Sequence, residues 1–139
     1  METAYNSQAS ILRQLRLKWS LFAGICLVFL MAGAIALSTT WQPEHALSWS
    51  ALAGLAIFYL LAVFWRNLQS NHREGEPELL PALGWGNQVT LLRGLLTAGL
   101  LGFLFSPNPP DGWAWVPGIL YTLVCLADFL DGYLARITD

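Results

Sequence analysis

The chain has 139 residues, of which 55% are hydrophobic and only 12% are charged, and its formal net charge is −2. A water-soluble domain of this size exposes too much surface to be so poor in charge, so the composition indicates a membrane protein. The sequence has no basic patch of the kind that binds nucleic acid, so we expect no nucleic-acid partner.

The first apolar segment is Ser20–Leu37, and the basic residues Arg13, Arg16 and Lys18 precede it. This arrangement fits either a signal peptide, with Ala34-Ile-Ala36 as a small-residue cleavage motif, or an uncleaved membrane helix. The polar stretch before the segment is long, and the apolar run exceeds the usual hydrophobic region of a signal peptide. We therefore expect an uncleaved helix.

The second segment is about Ser48–Trp65, which would pair with the first as a helical hairpin. Lysine and arginine precede the first segment and follow the second, whereas residues 38–47 between them contain neither. The positive-inside rule therefore predicts a cytoplasmic N terminus and a cytoplasmic end for the fourth segment. The tryptophans lie at or near segment ends, as in an interfacial aromatic belt: Trp19, Trp41, Trp49, Trp65, Trp85, Trp113 and Trp115.

A polar linker, residues 71–86, separates this hairpin from the rest of the chain. It contains Arg73, Gly75 and Pro77, which oppose regular structure. The third apolar segment follows at about Val89–Phe105. Like the others, it is about 17 to 20 residues long, close to the length that crosses a bilayer.

Polar residues open the third segment. Asn87 is predicted to cap the helix, with Thr90 at the matching position three residues later. Arg93 lies one turn further on, where it could reach the lipid headgroups, pair with an aspartate, or face a phosphate. The sequence leaves these three roles of Arg93 open.

Small residues recur every four positions in the third segment, at Gly94, Ala98 and Gly102. Such stripes let membrane helices approach closely. We expect this one to contact the fourth segment or another core helix, in preference to forming a substrate groove.

The fourth segment runs from Trp113 into two carboxylates, Asp128 and Asp131. Ionisable groups are costly in hydrocarbon, so this pair is the first candidate for a functional site. Carboxylates three residues apart on a helix repel each other unless a cation lies between them. An oxygen pair suits a hard ion such as Mg²⁺, Mn²⁺ or Ca²⁺, although a structural salt-bridge group would also explain the pair.

Three further residues share the helix face of the aspartates, because an α-helix turns about 100° per residue. Gly132 and Ala135 remove side-chain bulk beside the carboxylates, and Arg136 offers donors that suit phosphate. A cation, an open surface and an arginine together indicate a diphosphate site.

The pattern Asp128-x2-Asp131-Gly132-x2-Ala135-Arg136 resembles the first half of the CDP-alcohol phosphatidyltransferase signature, D-x2-D-G-x2-A-R-x8-G-x3-D-x3-D. All the defined positions of that half are present. The glycine and the last two aspartates of the signature would fall beyond Asp139, the final residue of this sequence. Asp139 itself matches none of these three positions.

A second motif, Asn87-x2-Thr90-x2-Arg93, is similar to the N-x2-T-x2-R opening of the first core helix in that family. The four apolar segments predict an all-α, polytopic integral membrane helical bundle with four transmembrane helices in this chain. The last two would be the first two helices of a six-helix family core. The implied division is an accessory hairpin with a basic juxtamembrane segment in residues 1–70, the cytoplasmic linker 71–86, and an incomplete core in residues 87–139.

The resemblance further implies phospholipid biosynthesis: transfer of a phosphatidyl-type group from a CDP-alcohol, such as CDP-diacylglycerol, to an acceptor hydroxyl, with release of CMP. Asp128 and Asp131 would hold Mg²⁺ or Mn²⁺, with Ca²⁺ as a non-productive ligand. Substrate contacts would come from Gly132, Ala135, Arg136, Asn87, Thr90 and Arg93.

The family's general base is the last aspartate of the signature, which would lie beyond Asp139. We therefore expect no catalytic base within these residues and an inactive isolated chain. The resemblance also implies a homodimer, and the acceptor alcohol is not identified by the sequence. The alternative hypothesis is a non-catalytic membrane module whose acidic helix end binds a cation or a partner helix.

Overall fold

The computed structural model describes the backbone of residues 2–72 and 79–138 and the side chains of residues 8–72 and 79–133. Within these residues the elements are helical, apart from one isolated bridge between His72 and Leu79. The main helices are α1 (Glu2–Thr40), α2 (Pro43–Arg66), α3 (Trp85–Leu101) and α4 (Val116–Thr138), with 3-10 turns at Leu68–Ser70 and Asp111–Trp115. The all-α prediction is confirmed.

α1 is much longer than the apolar segment that predicted it, because the sequence before Ser20 contains no glycine or proline to end a helix. The turn into α2 is short. Gln42 has extended backbone angles, as expected for a residue before proline, and Pro43 occupies the first helical position.

Within the described residues, three helical stretches are long and apolar enough to cross a membrane: Gln8–Thr40, Pro43–Arg66 and Asp111–Tyr133. α3 has 17 residues. At about 1.5 Å per residue it extends roughly 26 Å, short of the ~30 Å hydrocarbon core. The helical stretches support an integral membrane protein, but the predicted count of four spans is not confirmed.

The helices pack in chain order, α1 on α2, α2 on α3 and α3 on α4, with alternating direction. One end of the bundle, here called the site end, therefore carries Lys18, Arg66, Trp85 and Asp131. A side-chain hydrogen bond links α1 to the segment before α3 at this end: Lys18 Nζ donates to the carbonyl oxygen of Pro81 at 2.6 Å. The cytoplasmic location of this end stays a prediction.

Trp49 lies at the junction of three helices and is only 3% exposed. Its indole N–H donates to the carbonyl oxygen of Gly99 at 3.0 Å. Its ring occupies the space that a Cβ atom would need at Gly33 of α1 and at Gly102 of α3. The belt interpretation is therefore wrong for Trp49, whose ring packs between helices instead of lying at a lipid interface.

The small-residue stripe of α3 packs closely, as predicted, but its partner is α2 of the hairpin. A Cβ atom added to Gly94 would lie 2.8 Å from Leu60 Cδ1, and Gly102 faces Trp49. The hairpin is thus fitted to the glycines of the third segment, and α4 packs on another face of α3.

Asn71 joins the two described ends of the linker. Its carbonyl oxygen accepts a hydrogen bond from the Leu80 backbone N–H at 2.7 Å, and its side-chain Nδ2 donates to the carbonyl oxygens of Leu80 and Ala82. These bonds fix the start of α3 beside the end of α2. The predicted breakers Arg73, Gly75 and Pro77 lie outside the described residues.

Candidate functional site

The two aspartates of α4 face α3, where they meet two of the polar residues predicted as substrate contacts, Thr90 and Arg93. Arg93 Nη1 donates to Asp128 Oδ1 and lies 3.7 Å from Asp131 Oδ2. Thr90 Oγ1 donates to the same Asp131 oxygen at 3.1 Å. Four residues from two sequence motifs therefore form one cluster.

Helix geometry explains this meeting. Asp128 and Asp131 are three residues apart on α4, and Thr90 and Arg93 are three residues apart on α3, so each pair lies along one face of its helix. Because α3 and α4 pack against each other, these two faces meet at the site end.

Arg93 supplies the positive charge that the carboxylate pair requires. Two carboxylates at this spacing repel each other, and a guanidinium nitrogen between them offsets that repulsion. The three groups together still carry one net negative charge. Of the three roles that the sequence left open for Arg93, pairing with an aspartate is the one observed.

The cluster is open on the side of Asp128. The Asp128 side chain is 68% exposed, whereas Asp131 is 24% and Arg93 33% exposed. A Cβ atom added to Gly132 would have no neighbour within 4 Å, so the surface beside the aspartates is uncrowded. A ligand can therefore reach the carboxylates without a change in helix packing.

The donor set fits part of a divalent-cation site. Carboxylate oxygens of Asp128 and Asp131 approach one common point, at present the position of Arg93 Nη1, and hard cations prefer such oxygens. No third histidine, cysteine, aspartate or glutamate joins them among the described residues. Mg²⁺ commonly takes one or two carboxylates and completes its shell with water and substrate phosphate, so the chemistry of this pair is compatible with part of such a shell.

Asn87 has a different position from the predicted one. α3 begins at Trp85 with Gly84 as its N-cap residue, and no side chain caps it. Gln88 closes the first turn instead, through its backbone N–H to the Gly84 carbonyl oxygen at 3.2 Å. The prediction that Asn87 caps the helix is therefore wrong, because the helix begins at Trp85, two residues before Asn87.

Asn87 instead lines a cleft of ≈350 Å³ between the end of α2, the turn at Leu68–Ser70 and the start of α3. Leu60 and Phe64 provide apolar walls. Thr90 lines the same cleft and donates to Asp131, so it connects the cleft to the acidic cluster.

Gly86 belongs to the site although the sequence reasoning missed it. A Cβ atom placed on Gly86 would lie 3.9 Å from Asp131 Oδ1. The available signal was spacing, because Gly86, Thr90 and Arg93 stand at positions i, i+4 and i+7 of one helix face. The absence of a side chain at residue 86 leaves the inner carboxylate accessible from α3.

The acidic cluster is followed, at the end of the chain, by three residues that the sequence predictions concern: Ala135, Arg136 and Asp139. Ala135 and Arg136 continue α4, but their side chains lie outside the described residues, so their substrate contacts stay predictions. Asp139 lies outside the described residues altogether. The expectation that the general base of the family lies beyond Asp139 is therefore not tested by the structure and stays a prediction.

Comparison with known proteins gives one result that concerns this cluster. Residues 84–139 match the model of the CDP-alcohol phosphatidyltransferase family, and all the predicted site residues fall within that match. No curated protein and no solved structure gives a significant match. The resemblance that the two motifs predicted is therefore confirmed for residues 84–139.

Proposed function

We propose that residues 84–139 take part in phospholipid biosynthesis as part of a phosphotransferase. The reaction would move a phosphatidyl-type group from a CDP-alcohol, such as CDP-diacylglycerol, to an acceptor hydroxyl, with release of CMP. The supporting observation is the convergence of Asp128 and Asp131 with Thr90 and Arg93, inside the segment that matches the family.

Asp128 and Asp131 are the proposed ligands of Mg²⁺ or Mn²⁺, and Ca²⁺ would bind there without supporting the reaction. A divalent cation at this position supplies positive charge that neutralises the diphosphate and stabilises the departing CMP. Thr90 orients the Asp131 carboxylate by its hydrogen bond, as residues around metal ligands commonly do.

Arg93 has two positions in this proposal. Without ligand, its guanidinium lies between the carboxylates. If Asp128 and Asp131 held a cation, the Arg93 guanidinium would be free of them, and its planar donors would suit the diphosphate of the CDP-alcohol. The cation and the substrate phosphate would therefore bind cooperatively, because the phosphate would pair with the arginine that no longer pairs with the carboxylates.

The cleft beside Asn87 is the proposed location of the nucleotide end. Its volume of ≈350 Å³ lies in the range of small-molecule pockets, and Thr90 links it to the proposed cation ligands. On the α4 side, Gly132 leaves room for the diphosphate, and Ala135 and Arg136 are further proposed substrate contacts. We place this site at the cytoplasmic face, because lysine and arginine cluster at that end of the first two helices.

One observation favours the alternative of a non-catalytic module. Arg93 already neutralises part of the acidic charge without any metal, as a structural ion pair would. The two functions differ in what binds: a non-catalytic module would bind a cation or a partner helix at the acidic helix end, but it requires no CDP-alcohol.

The deciding experiment measures binding of CDP-diacylglycerol to the purified 139-residue chain in detergent, with and without Mn²⁺. We expect binding that requires Mn²⁺ and is lost in Asp131→Asn. The matched control is Asp111→Asn, which removes an exposed carboxylate at the opposite end of the bundle and should leave binding intact. Binding without Mn²⁺, or binding that survives in Asp131→Asn, would contradict the proposal.

A further inference from the structure

A groove of ≈430 Å³ lies between α1 and α3 at the site end, and it adjoins the cleft beside Asn87, with which it shares Leu83 and Leu91. Its walls are apolar and partly open to the surroundings: Leu21 is 69% exposed and Leu92 is 51% exposed. The apolar wall residues from the two helices are Leu21, Phe22, Ile25, Leu91, Leu92 and Leu95.

Each helix contributes one polar residue at the site end of this groove and a row of apolar residues along it. α1 contributes Lys18 followed by apolar residues at positions i+3, i+4 and i+7, and α3 contributes Gln88 followed by the same pattern. α1 and α3 run in the same direction from the site end, so Lys18 and Gln88 stand at the same end of the groove. The apolar part below them is about 10 Å long, at roughly 1.5 Å per residue.

The charge at the head of the groove is positive. Lys18 Nζ donates to the backbone carbonyl oxygen of Pro81, a neutral group. In the described part of the chain, the ion pairs found do not include Lys18. An ammonium group has three N–H donors and Pro81 takes one, so Lys18 has donors left for an anion. The Gln88 amide donates to the Leu83 carbonyl oxygen at 3.1 Å and has a second N–H to offer.

The groove lies on the opposite side of α3 from the acidic cluster. At about 100° per residue, the helix face of Gln88, Leu91 and Leu95 points roughly 180° away from the face of Gly86, Thr90 and Arg93. An amphiphile in this groove is therefore separated by α3 from the aspartates, and it is not the CDP-alcohol of the proposed reaction.

We propose that this groove binds an anionic glycerophospholipid of the surrounding leaflet. The lipid phosphate lies at Lys18 and Gln88, and one acyl chain lies along the leucine-rich walls. Basic pockets between helices at the cytoplasmic face bind anionic headgroups for this electrostatic reason, while the apolar walls accommodate the chain. The bound lipid fills the space between the accessory hairpin and the first core helix.

The test uses the purified 139-residue chain, delipidated in a neutral detergent, with phosphatidylglycerol or phosphatidylcholine added. Native mass spectrometry reports the fraction carrying one lipid, and thermal unfolding reports the change in Tm. We expect preferential retention of phosphatidylglycerol and a larger rise in Tm with that lipid. Lys18→Gln should weaken its binding about fivefold, the contribution of one lysine near an anionic lipid surface.

Three further variants keep the test decisive. Leu92→Trp puts bulk into the groove at a half-exposed position and should also reduce lipid retention, whatever the effect of Lys18→Gln on folding. Arg66→Gln removes a cation from the same end of the bundle but outside the groove, and should leave retention unchanged. Asp128→Asn should also retain the lipid, which separates this site from the proposed reaction.

Equal retention of both lipids would overturn the proposal, as would unchanged retention of phosphatidylglycerol in Lys18→Gln and Leu92→Trp. A Tm that rises with protein concentration instead of lipid would also overturn it, because the groove would then be covered by a second copy of the chain.

Discussion

Arg93 of α3 forms an ion pair with Asp128 of α4, and the same guanidinium nitrogen lies 3.7 Å from an oxygen of Asp131. One cation thus occupies the point on which both carboxylates converge. A divalent cation that binds these carboxylates must compete with Arg93 for the same oxygen atoms. Replacing Arg93 should therefore have opposite effects on the two ligands: the cation should bind more tightly and the CDP-alcohol more weakly.

Arg93→Gln is expected to strengthen Mn²⁺ binding in the absence of CDP-alcohol, because the carboxylates lose their resident competitor. The gain should reach at most about fivefold, since a half-exposed ion pair contributes up to ~1 kcal/mol. Titration of free Mn²⁺ by electron paramagnetic resonance measures it. In the presence of Mn²⁺, the same variant should bind CDP-diacylglycerol more weakly than the unchanged chain.

Arg66→Gln is the matched control for charge, because Arg66 lies at the same end of the bundle but outside the acidic cluster. It should change neither affinity. Weaker Mn²⁺ binding in Arg93→Gln would mean that the arginine does not compete with the cation.

Thr90→Val removes the hydroxyl that donates to Asp131 while keeping the side-chain shape. A hydrogen bond to a charged group contributes about 1.5–3 kcal/mol, so we expect at least a tenfold loss of Mn²⁺-dependent CDP-diacylglycerol binding. Thr90→Ser restores the hydroxyl and should recover most of the affinity, as measured by calorimetric titration. Equal affinities for the valine and serine variants would rule out the hydroxyl as the positioning group.

The two faces that form the acidic cluster could be predicted from the sequence, because the spacing of residues within each helix determines which residues share a face. The spacing of Asp128 and Asp131 puts them on one face whatever the helix packs against, and the spacing of Thr90 and Arg93 does the same on α3. The role of Arg93 could not be chosen, because it depends on which face of α3 meets α4. Tertiary packing determines that face, and a local sequence pattern carries no information about tertiary packing.

The errors have physical causes of the same kind. Asn87 has the chemistry of a helix cap, but the extended backbone of Gly84 lets the helix start earlier without any side-chain cap. The glycine stripe correctly indicated close packing, yet its partner depends on where Leu60 and Trp49 of α2 project. The sequence pattern indicates which surface of a helix packs closely, whereas the tertiary fold determines which helix it packs against.

Gly86→Leu is expected to reduce Mn²⁺-dependent CDP-diacylglycerol binding strongly, because the added side chain points toward Asp131. Gly86→Ala is the control. Its Cβ would lie 3.9 Å from Asp131 Oδ1, an ordinary contact distance, and alanine favours the helix by up to about 1 kcal/mol. Circular dichroism should show unchanged helix content in both variants. Leucine and alanine variants with the same affinity would remove Gly86 from the site.

Trp49→Phe tests how the accessory hairpin is attached to the matched segment. Phenylalanine lacks the N–H that bonds the Gly99 carbonyl oxygen, and its smaller ring leaves space against Gly33 and Gly102. Hydrogen bonds between membrane helices contribute about 1 kcal/mol, and the lost packing adds to that, so the free energy of unfolding should fall by roughly 1–3 kcal/mol.

Thermal unfolding in detergent measures this loss, with Trp115→Phe as the control. Trp115 is 75% exposed, so its replacement should leave Tm nearly unchanged. If both variants lowered Tm equally, Trp49 would not be the residue that holds α2 against α3. Loss of Mn²⁺-dependent binding in Trp49→Phe, with the site residues intact, would further show that the hairpin positions α3 for the acidic cluster.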